Sequence, residues 1–405
     1  MRIVFIAPYQ GLGVVARRPI VTNRSLASAQ KLQLLTASLH ANGHSVEVIS
    51  QGEIVPYRWR FYPGFREPQP FHPQIPVHYA SLLPWWKVKP LWSCFQMLRL
   101  LRARNRVAPF DLAFVWNMQH PQVVCADYAL RRLNIPVILQ YEDDTFVSIG
   151  GEQIRFTPGH REYAQRMLKQ FSGCCGCSPW LLSQLPSDIP KLLLRGALGK
   201  DIVECSKQVA DKKDWVLFSG THAPQYAIPA LIAAWQKGVP AGWELHITGE
   251  GDETPQLRKL AEKTPTIHFH GLVPREQLVR LMTSAKICMN PHQLSKTPGN
   301  VFAFKIIEYL GAGAHVITTR MGEAEEELER GITYMPDNSV ETIYSTLNQV
   351  IQTNAWQRTA ADHVLQTCGP DAISKSLNEL VHEVKRQADT RNGRPGLQSA
   401  IAQNA

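Results

Sequence analysis

Residues 290–319 read NPHQLSKTPGNVFAFKIIEYLGAGAHVITT. Their reading decides the fold, because they have the form of a strand end, a loop, a short helix and the next strand, a crossing that commonly carries ligand in open α/β sheets. Ile287–Met289 closes an apolar run and Pro298-Gly299-Asn300 has turn chemistry. Phe304, Ile307 and Leu310 then recur at helical spacing until Gly311 and Gly313 end the helix, and Val316 and Ile317 open a buried strand. A helix start near Asn300–Ala303 offers free N–H groups and a positive dipole end, a seat for a phosphate or a sugar hydroxyl. Glu308 lies at most ~12 Å beyond Asn300 if every intervening residue is helical, about the span from a diphosphate to its ribose. Taken alone Glu308 is a solvated helix glutamate; the loop, helix and strand around it favour ligand contact. Phe302 and Phe304 read as packing residues.

A chain of 405 residues exceeds the size at which one core keeps growing, so two domains are expected. Apolar residues make up 44%, enough for globular folding. No run of eighteen apolar residues occurs, and Met1–Pro8 reads as a first strand, not a signal peptide, which points to a cytoplasmic protein. The net charge of +9 admits nucleic acid, an anionic membrane surface or an anionic substrate. Its distribution narrows this choice. Lys87–Arg106 holds six basic residues and no acidic one, beside Trp85, Trp86 and Trp92, which suits either a membrane headgroup layer or a solvated helix with buried tryptophans. Nucleic acid has only the charge in its favour, and none is expected as a partner.

Arg2–Pro8 suits a central parallel strand, followed by a loop with Gly11 and Gly13, a helix marked by Leu32, Leu35 and Leu39, and a strand at Ser45–Ser50. Arg17, Arg18 and Arg24 supply charge near that loop or sit on the surface. Residues 53–84, rich in proline and aromatics, read as an irregular insertion. Leu112–Trp116 and Pro136–Tyr141 are further strands, ending in Asn117–Pro121 and Glu142-Asp143-Asp144. Carboxyl ends of parallel strands face the ligand crevice, which makes His120 and Glu142 candidates. The three contiguous acids would alternate faces, so hydrogen bonding to an acceptor is preferred there over metal. A charged linker is expected at Lys207–Asp214, after which Trp215–Gly220, Ile228–Lys237, Trp243–Gly249, Ile267–Gly271, Glu276–Met282 and Lys286–Met289 alternate strand and helix. His268 and His270 share a strand face with no third ligand near in sequence, and Cys174, Cys175 and Cys177 have no second Cys pair, so no metal site is expected.

These residues resemble the retaining glycosyltransferases of family 4, which have the GT-B fold. Their motif E-G-F-G-L-x-x-x-E is similar to Asn300-Val301-Phe302-Ala303-Phe304-Lys305-Ile306-Ile307-Glu308, with Phe302 and Glu308 matching and Asn300 in place of the first glutamate. Tyr309–Ile317 resembles the continuation, with His315 where proline is usual. Asn42–Val48 resembles G-H-x-V-x-V, Gly249-Glu250-Gly251 the G-x-G, and His270–Val273 the F-x-G-x-V. The family's Arg and Lys after the first strand of its donor half are replaced by Ser219–Tyr226.

The resemblance implies an α/β GT-B chain of two Rossmann-like domains facing across a cleft. An acceptor-side domain spans residues 1–195 and a nucleotide-sugar domain 196–370, with a helix at 371–386 returning to the first and a flexible tail at 390–405. It implies a sugar moved from a nucleotide-diphosphate sugar to a hydroxyl acceptor (a glycan, a lipid-linked sugar or a small molecule), with retention and without metal or other cofactor. Glu308 would hold the ribose. Asn300, His120 and Glu142 would stand at the reacting centre. Backbone at Gly11, Gly13, Gly220, Gly249, Val301 and Phe302, with Lys296 or an arginine of the first domain as the cation, would hold the rest of the donor. Location would be cytoplasmic, on the inner membrane face if the basic tryptophan-rich stretch binds lipid. A nucleotide-sugar epimerase on the same fold, or a weakened nucleotide-sugar-binding relative, are the alternatives.

Overall fold

The computed structural model describes residues 1–18, 26–52, 60–70, 72–83, 85, 88–144, 159–208, 211–294, 302–322 and 324–391. The chain divides into two compact units. Of the described residues, the first comprises those up to Leu194 together with those from Ile373, and the second those from Arg195 to Ala372.

The first unit is built on eight strands: β1 (Arg2–Ile6), β2 (Ser45–Ser50), β3 (Phe65–Pro68), β4 (Pro76–Tyr79), β5 (Leu112–Trp116), β6 (Val137–Tyr141), β7 (Gly173–Gly176) and β8 (Lys191–Leu193). They lie in the order β3-β4-β2-β1-β5-β6-β7-β8. All neighbours are parallel except β3, which runs antiparallel to β4. Strands covered on both faces favour near-continuous apolar runs; all five residues of β5 and of β6 are buried, Gln140 being the one amide among them. The expected irregular insertion is therefore corrected in part, since Phe65–Pro68 and Pro76–Tyr79 extend the sheet. Proline is tolerated there because β3 is an edge and prolines stand at strand ends.

Helix Lys89–Val107 carries the basic stretch. Arg104 donates to Glu47 on β2 at 2.7 Å, and Arg2 and His78 reach the same carboxylate. Burial alone would raise the Glu47 pKa, yet these three partners together hold it down at about 2. One of the six basic residues is thus a tie to the sheet. The final helix, Pro370–Arg391, joins the first unit through Asn378, 2.9 Å from the His44 ring, and Ser374, bonded by Asn42.

The second unit has six strands: β9 (Lys213–Ser219), β10 (Glu244–Thr248), β11 (Ile267–Gly271), β12 (Ala285–Asn290), β13 (His315–Thr319) and β14 (Ile332–Met335). Their order is β11-β10-β9-β12-β13-β14, all parallel. Val216, Phe218, Leu245, Ile247, Ile287 and Ile317 bury one face against helices Ile228–Lys237 and Val340–Gln352. The charged linker expected at Lys207–Asp214 is a correction. Lys213 begins β9, and the Lys212 ammonium donates to the carbonyls of Thr283, Ala285 and Ala312 at 2.8–3.1 Å. Burial pushes its pKa down to about 8. This lysine closes the carboxyl ends of two helices, where a cation is favoured.

Both units are doubly wound, and in each the strand order reverses once: between β1 and β5 in the first and between β9 and β12 in the second. Crevices for ligands open outside the carboxyl ends of strands at such reversals.

Candidate functional site in the second unit

At the β9–β12 reversal the chain leaves β9 through Ser219 and Gly220. Gly220 has φ +149° and its N–H bonds Thr248 O at 3.1 Å. Gly249, at the end of the adjacent β10, has φ +114°, and a Cβ there would lie 1.9 Å from the Gly220 carbonyl oxygen. Only glycine permits so close a crossing of the two turns, so both glycines singled out in the sequence belong to one backbone cradle.

Helix Phe304–Gly311 stands over this cradle. It begins at Phe304 behind Ala303, at the downstream edge of the expected start. Asn300, Val301 and Lys296 lie outside the described residues. Residues at i and i+4 share a helix face, and Lys305 and Tyr309 use that face to grip the end of β9. The Tyr309 hydroxyl accepts from Ser219 N–H at 2.9 Å and lies 2.9 Å from the Ser219 hydroxyl. Lys305 Nζ donates to Ser219 O at 3.1 Å and stands 4.5 Å and 4.1 Å from the ring centres of Phe218 and Tyr226.

The Lys305 side chain keeps some exposure along its length, but its ammonium is enclosed by two rings and backbone. That desolvation pushes its pKa down to about 7. Among the described residues no carboxylate forms an ion pair with it. It is a titratable amine at the strand reversal, and its place inside the motif gave it no role in the sequence reading. The usable signal was position: four residues before a buried tyrosine and three before Glu308.

Glu308 is 6% exposed. One carboxylate oxygen accepts from Arg275 Nη1 at 2.7 Å, and Arg275 Nε donates to Asp201 at 2.6 Å. Burial alone would lower the Arg275 pKa, but Glu308 and Asp201 raise it. Glu308 is thus a fixed carboxylate on an arginine, not a solvated one. Phe302 is buried, with the Arg195 guanidinium 5.0 Å from its ring centre and Arg195 in turn bonded to Glu325 at 2.9 Å. Its ring packs against protein groups.

Next to the cradle, His292 stands edge-on to Tyr226 with ring centres 5.1 Å apart. Asn290, fully buried at the end of β12, donates to Thr318 at 3.0 Å.

The candidates of the first unit have protein partners of their own. Gly11 N–H donates to the Tyr79 hydroxyl at 2.9 Å and Gly13 N–H to Glu67 at 2.8 Å, while Tyr79 donates to Glu67 at 2.6 Å. A carboxylate from β3 sits where the sequence reading put an anionic ligand. Arg18, 1% exposed, spends its guanidinium on the carbonyls of Gln51, Gly52, Pro63 and Ala80. It is a buried loop clamp, and burial lowers its pKa to about 10.

The Glu142 carboxylate accepts from Lys31 at 2.7 Å and from Gln140 at 2.5 Å. Its N–H, with that of Asp143, points at Asn117 Oδ1. His120 opens helix His120–Tyr128 with its ring edge-on to His160, centres 4.9 Å apart, and Nδ1 3.7 Å from Cys94 Sγ. Burial lowers both imidazoles, leaving them neutral near pH 7. Cys174 and Cys175 are buried strand residues of β7, as expected, and Cys177 follows them, also buried, its thiol donating to Glu142 O at 3.0 Å.

The histidine pair of β11 acquires neighbours that sequence spacing could not supply. Glu244 and His246 of β10 stand beside His268, with candidate ligand atoms all within 4.8 Å of one another. The expectation of no metal site rested on a missing third ligand. Strand pairing provides two more groups.

Residues 213–353, inside the second unit, match the family described as glycosyl transferases group 1. No curated protein sequence matches the chain. Several solved structures share its fold. Sucrose-phosphate synthase from Thermosynechococcus elongatus is 15% identical with a TM-score of 0.69, over 95% of this chain and 99% of that one. HepE from Anabaena, in complex with UDP-glucose, is 14% identical with a TM-score of 0.61, over 94% and 99%. A protein assigned as a UDP-N-acetylglucosamine 2-epimerase from Listeria monocytogenes is 10% identical with a TM-score of 0.58, over 96% and 97%. The fold is GT-B, two α/β units each with a predominantly parallel sheet, and with the family match it supports a glycosyltransferase. Among the described residues no helix is long and apolar enough to cross a membrane.

Proposed function

We propose that the chain is a retaining, metal-independent glycosyltransferase of family 4 that takes a nucleotide-diphosphate sugar as donor and a hydroxyl as acceptor, with no cofactor. The observation that carries this reading is the Lys305 ammonium above the Gly220–Gly249 cradle, at the strand reversal of the unit that matches the family. Glycosyl transfer leaves charge on the departing diphosphate, and a preformed cation and backbone donors aimed at that charge lower the barrier. Lys305 stands where the family's Arg-Lys pair is missing. Glu308, held by Arg275, would accept from the ribose hydroxyls, and the HepE complex makes UDP-glucose the first donor to test.

The reading is tested by incubating the full chain with UDP-glucose and a panel of hydroxyl acceptors and following both transfer and isomerisation of the donor. Transfer supports it. An isomerised sugar without an acceptor would establish the epimerase alternative, which the Listeria likeness keeps alive. In parallel, Glu308→Gln is expected to weaken donor binding about tenfold in calorimetry, the worth of one charge-assisted hydrogen bond. Glutamine still accepts from Arg275, which keeps Asp201 as its ionic partner, so melting falls but the chain stays folded at the assay temperature. Unchanged affinity would remove Glu308 from the donor site.

A peripheral membrane contact is the acceptor-side part of this proposal. Val88, Leu91 and Phe95 follow i, i+3, i+7 spacing and are 40%, 71% and 57% exposed, with Trp85 at 42% beside them. Arg99 and Arg102 continue the helix, exposed. Apolar anchors with cations beyond them suit an anionic bilayer surface; Trp86 lies outside the described residues. Trp85→Ala/Phe95→Ala is expected to lower co-sedimentation with anionic vesicles about tenfold or more, each anchor being worth roughly 1.5 kcal/mol. Equal sedimentation of variant and wild type would place any lipid contact elsewhere.

A further inference from the structure

We infer that Glu244, His246 and His268 form a binding site for one divalent transition-metal ion of the zinc class, on the edge of the six-stranded sheet. Glu244 and His246 alternate along β10 with the core residues Leu245 and Ile247, so they share the opposite face. His246 pairs in register with His268 on the edge strand β11, which brings the two imidazoles together, ring centres 5.0 Å apart. The Glu244 carboxylate reaches both: Oε2 is 3.3 Å from His246 Nε2 and Oε1 is 3.6 Å from His268 Nε2. Ligand atoms on a tetrahedral zinc, each about 2.0–2.1 Å from the metal, stand roughly 3.3 Å apart. Each imidazole is thus near that spacing from one or the other oxygen of the carboxylate, and one ligand atom from each residue lies within 4.8 Å of the other two.

The remaining groups are arranged as ligation would require. His268 Nε2 is buried and makes no hydrogen bond. His246, 5% exposed, has its other ring nitrogen 2.9 Å from His270 Nε2. A metal-bound histidine characteristically donates its second N–H to a fixed acceptor, which sets the tautomer and the ring plane. His270 can supply that acceptor, and its ring is stacked on His246 at an interplanar angle of 9°. The Trp215 ring, 4.0 Å from that of His246, walls the inner side. Glu244 and His268 side chains are 41% and 39% exposed, so the site lies near the surface although His268 Nε2 itself is covered. Two imidazoles and one carboxylate suit zinc or its neighbours and not magnesium, whose preferred ligands are oxygens.

The ion would be structural. Glu244 is the first residue of β10, whereas the Gly249 turn lies beyond the opposite end. Three residues of extended strand put His246 about 10 Å short of that turn. What the ion would do is fasten the edge strand β11 to β10.

The test uses the full chain, free of affinity tag and stripped of metal by chelator. Wild type is expected to bind one equivalent of Zn2+ by calorimetry and to give, with Co2+, the visible absorption of a low-symmetry nitrogen–oxygen site. Its melting temperature should rise with zinc. His268→Gln and Glu244→Gln, both at partly exposed positions, should melt like metal-free wild type yet lose about 100-fold or more in zinc affinity. His270→Gln should lose about 10- to 100-fold. The same affinity in wild type and His268→Gln, a site that magnesium fills equally well, or no bound zinc would each overturn the assignment.

Discussion

Lys305→Met is expected to weaken binding of a nucleotide-diphosphate sugar by about 10- to 150-fold without lowering the melting temperature. The size follows from the worth of a hydrogen bond to a charged group, about 1.5–3 kcal/mol, with tenfold for each 1.36 kcal/mol. The retained stability follows from the ammonium's surroundings. It meets one carbonyl and two ring faces, which replace water poorly, and methionine fills much the same space without that cost. A purely structural lysine would behave in the opposite way, with lower stability and unchanged affinity.

The pH dependence sharpens this test. With its pKa near 7 in the ligand-free protein, Lys305 is charged below that value and increasingly neutral above it. A bound diphosphate favours the charged form. Above pH 7, therefore, binding takes up a proton, and wild-type affinity should fall as pH rises, by up to tenfold for each unit. The slope ends at the higher pKa of the complex. Both phosphates of a sugar donor are esterified and do not titrate here, so the slope reports the protein, and Lys305→Met should flatten it. The stability of the ligand-free protein moves the other way. From pH 7 to about 10.4, the ordinary lysine value, the unfolded chain holds the proton that the folded one has lost, so this residue's contribution to stability rises with pH. A wild-type donor affinity flat from pH 7 to pH 9 would exclude Lys305 from the diphosphate site.

Most of the strand framework was legible because parallel strands buried on both faces must be apolar at successive positions. Val4, Phe114, Ile138, Leu217 and Ile287 announce themselves in this way. The β3–β4 hairpin did not, since Phe65–Pro68 and Pro76–Tyr79 carry prolines, arginine and histidine at a sheet edge. The motif around Glu308 was readable as a helix with ligand chemistry, but its electrostatics were not. Lys305 meets Ser219 and Glu308 meets Arg275 across long separations in sequence. Glu244 and His268 likewise meet only because β10 and β11 are neighbours. Strand ends such as Glu142 show the converse limit, for position at a crevice says nothing of whether a carboxylate is already taken.

That point yields the other large effect. Lys31→Met is expected to lower the melting temperature of the first unit's transition by about 6–20 °C, and the double variant Lys31→Met/Glu142→Leu to regain most of it. Lys31 is 2% exposed and Glu142 12% at the side chain, 2.7 Å apart, with the ammonium also donating to Leu194 O at 3.1 Å. Burial by itself would push the Lys31 pKa down, yet Glu142 beside it brings the net shift upward. The lysine's part of this stabilisation is therefore present through the neutral range, and on the alkaline side it is lost as pH rises from the unfolded lysine value through the higher folded one. Removing one partner strands the other charge in a water-poor site, at a cost of about 3–5 kcal/mol. For a unit of this size that corresponds to the stated drop. Removing both partners leaves nothing stranded, and apolar replacement of a buried pair is often neutral. The two units need not melt together, so the readout is the individual calorimetric transition. The same variants decide what Glu142 is for. If it anchors the end of β6, Glu142→Gln loses stability and donor turnover falls only in step with folded protein. If its carboxylate acts at the reacting centre, the variant stays folded and turnover is abolished.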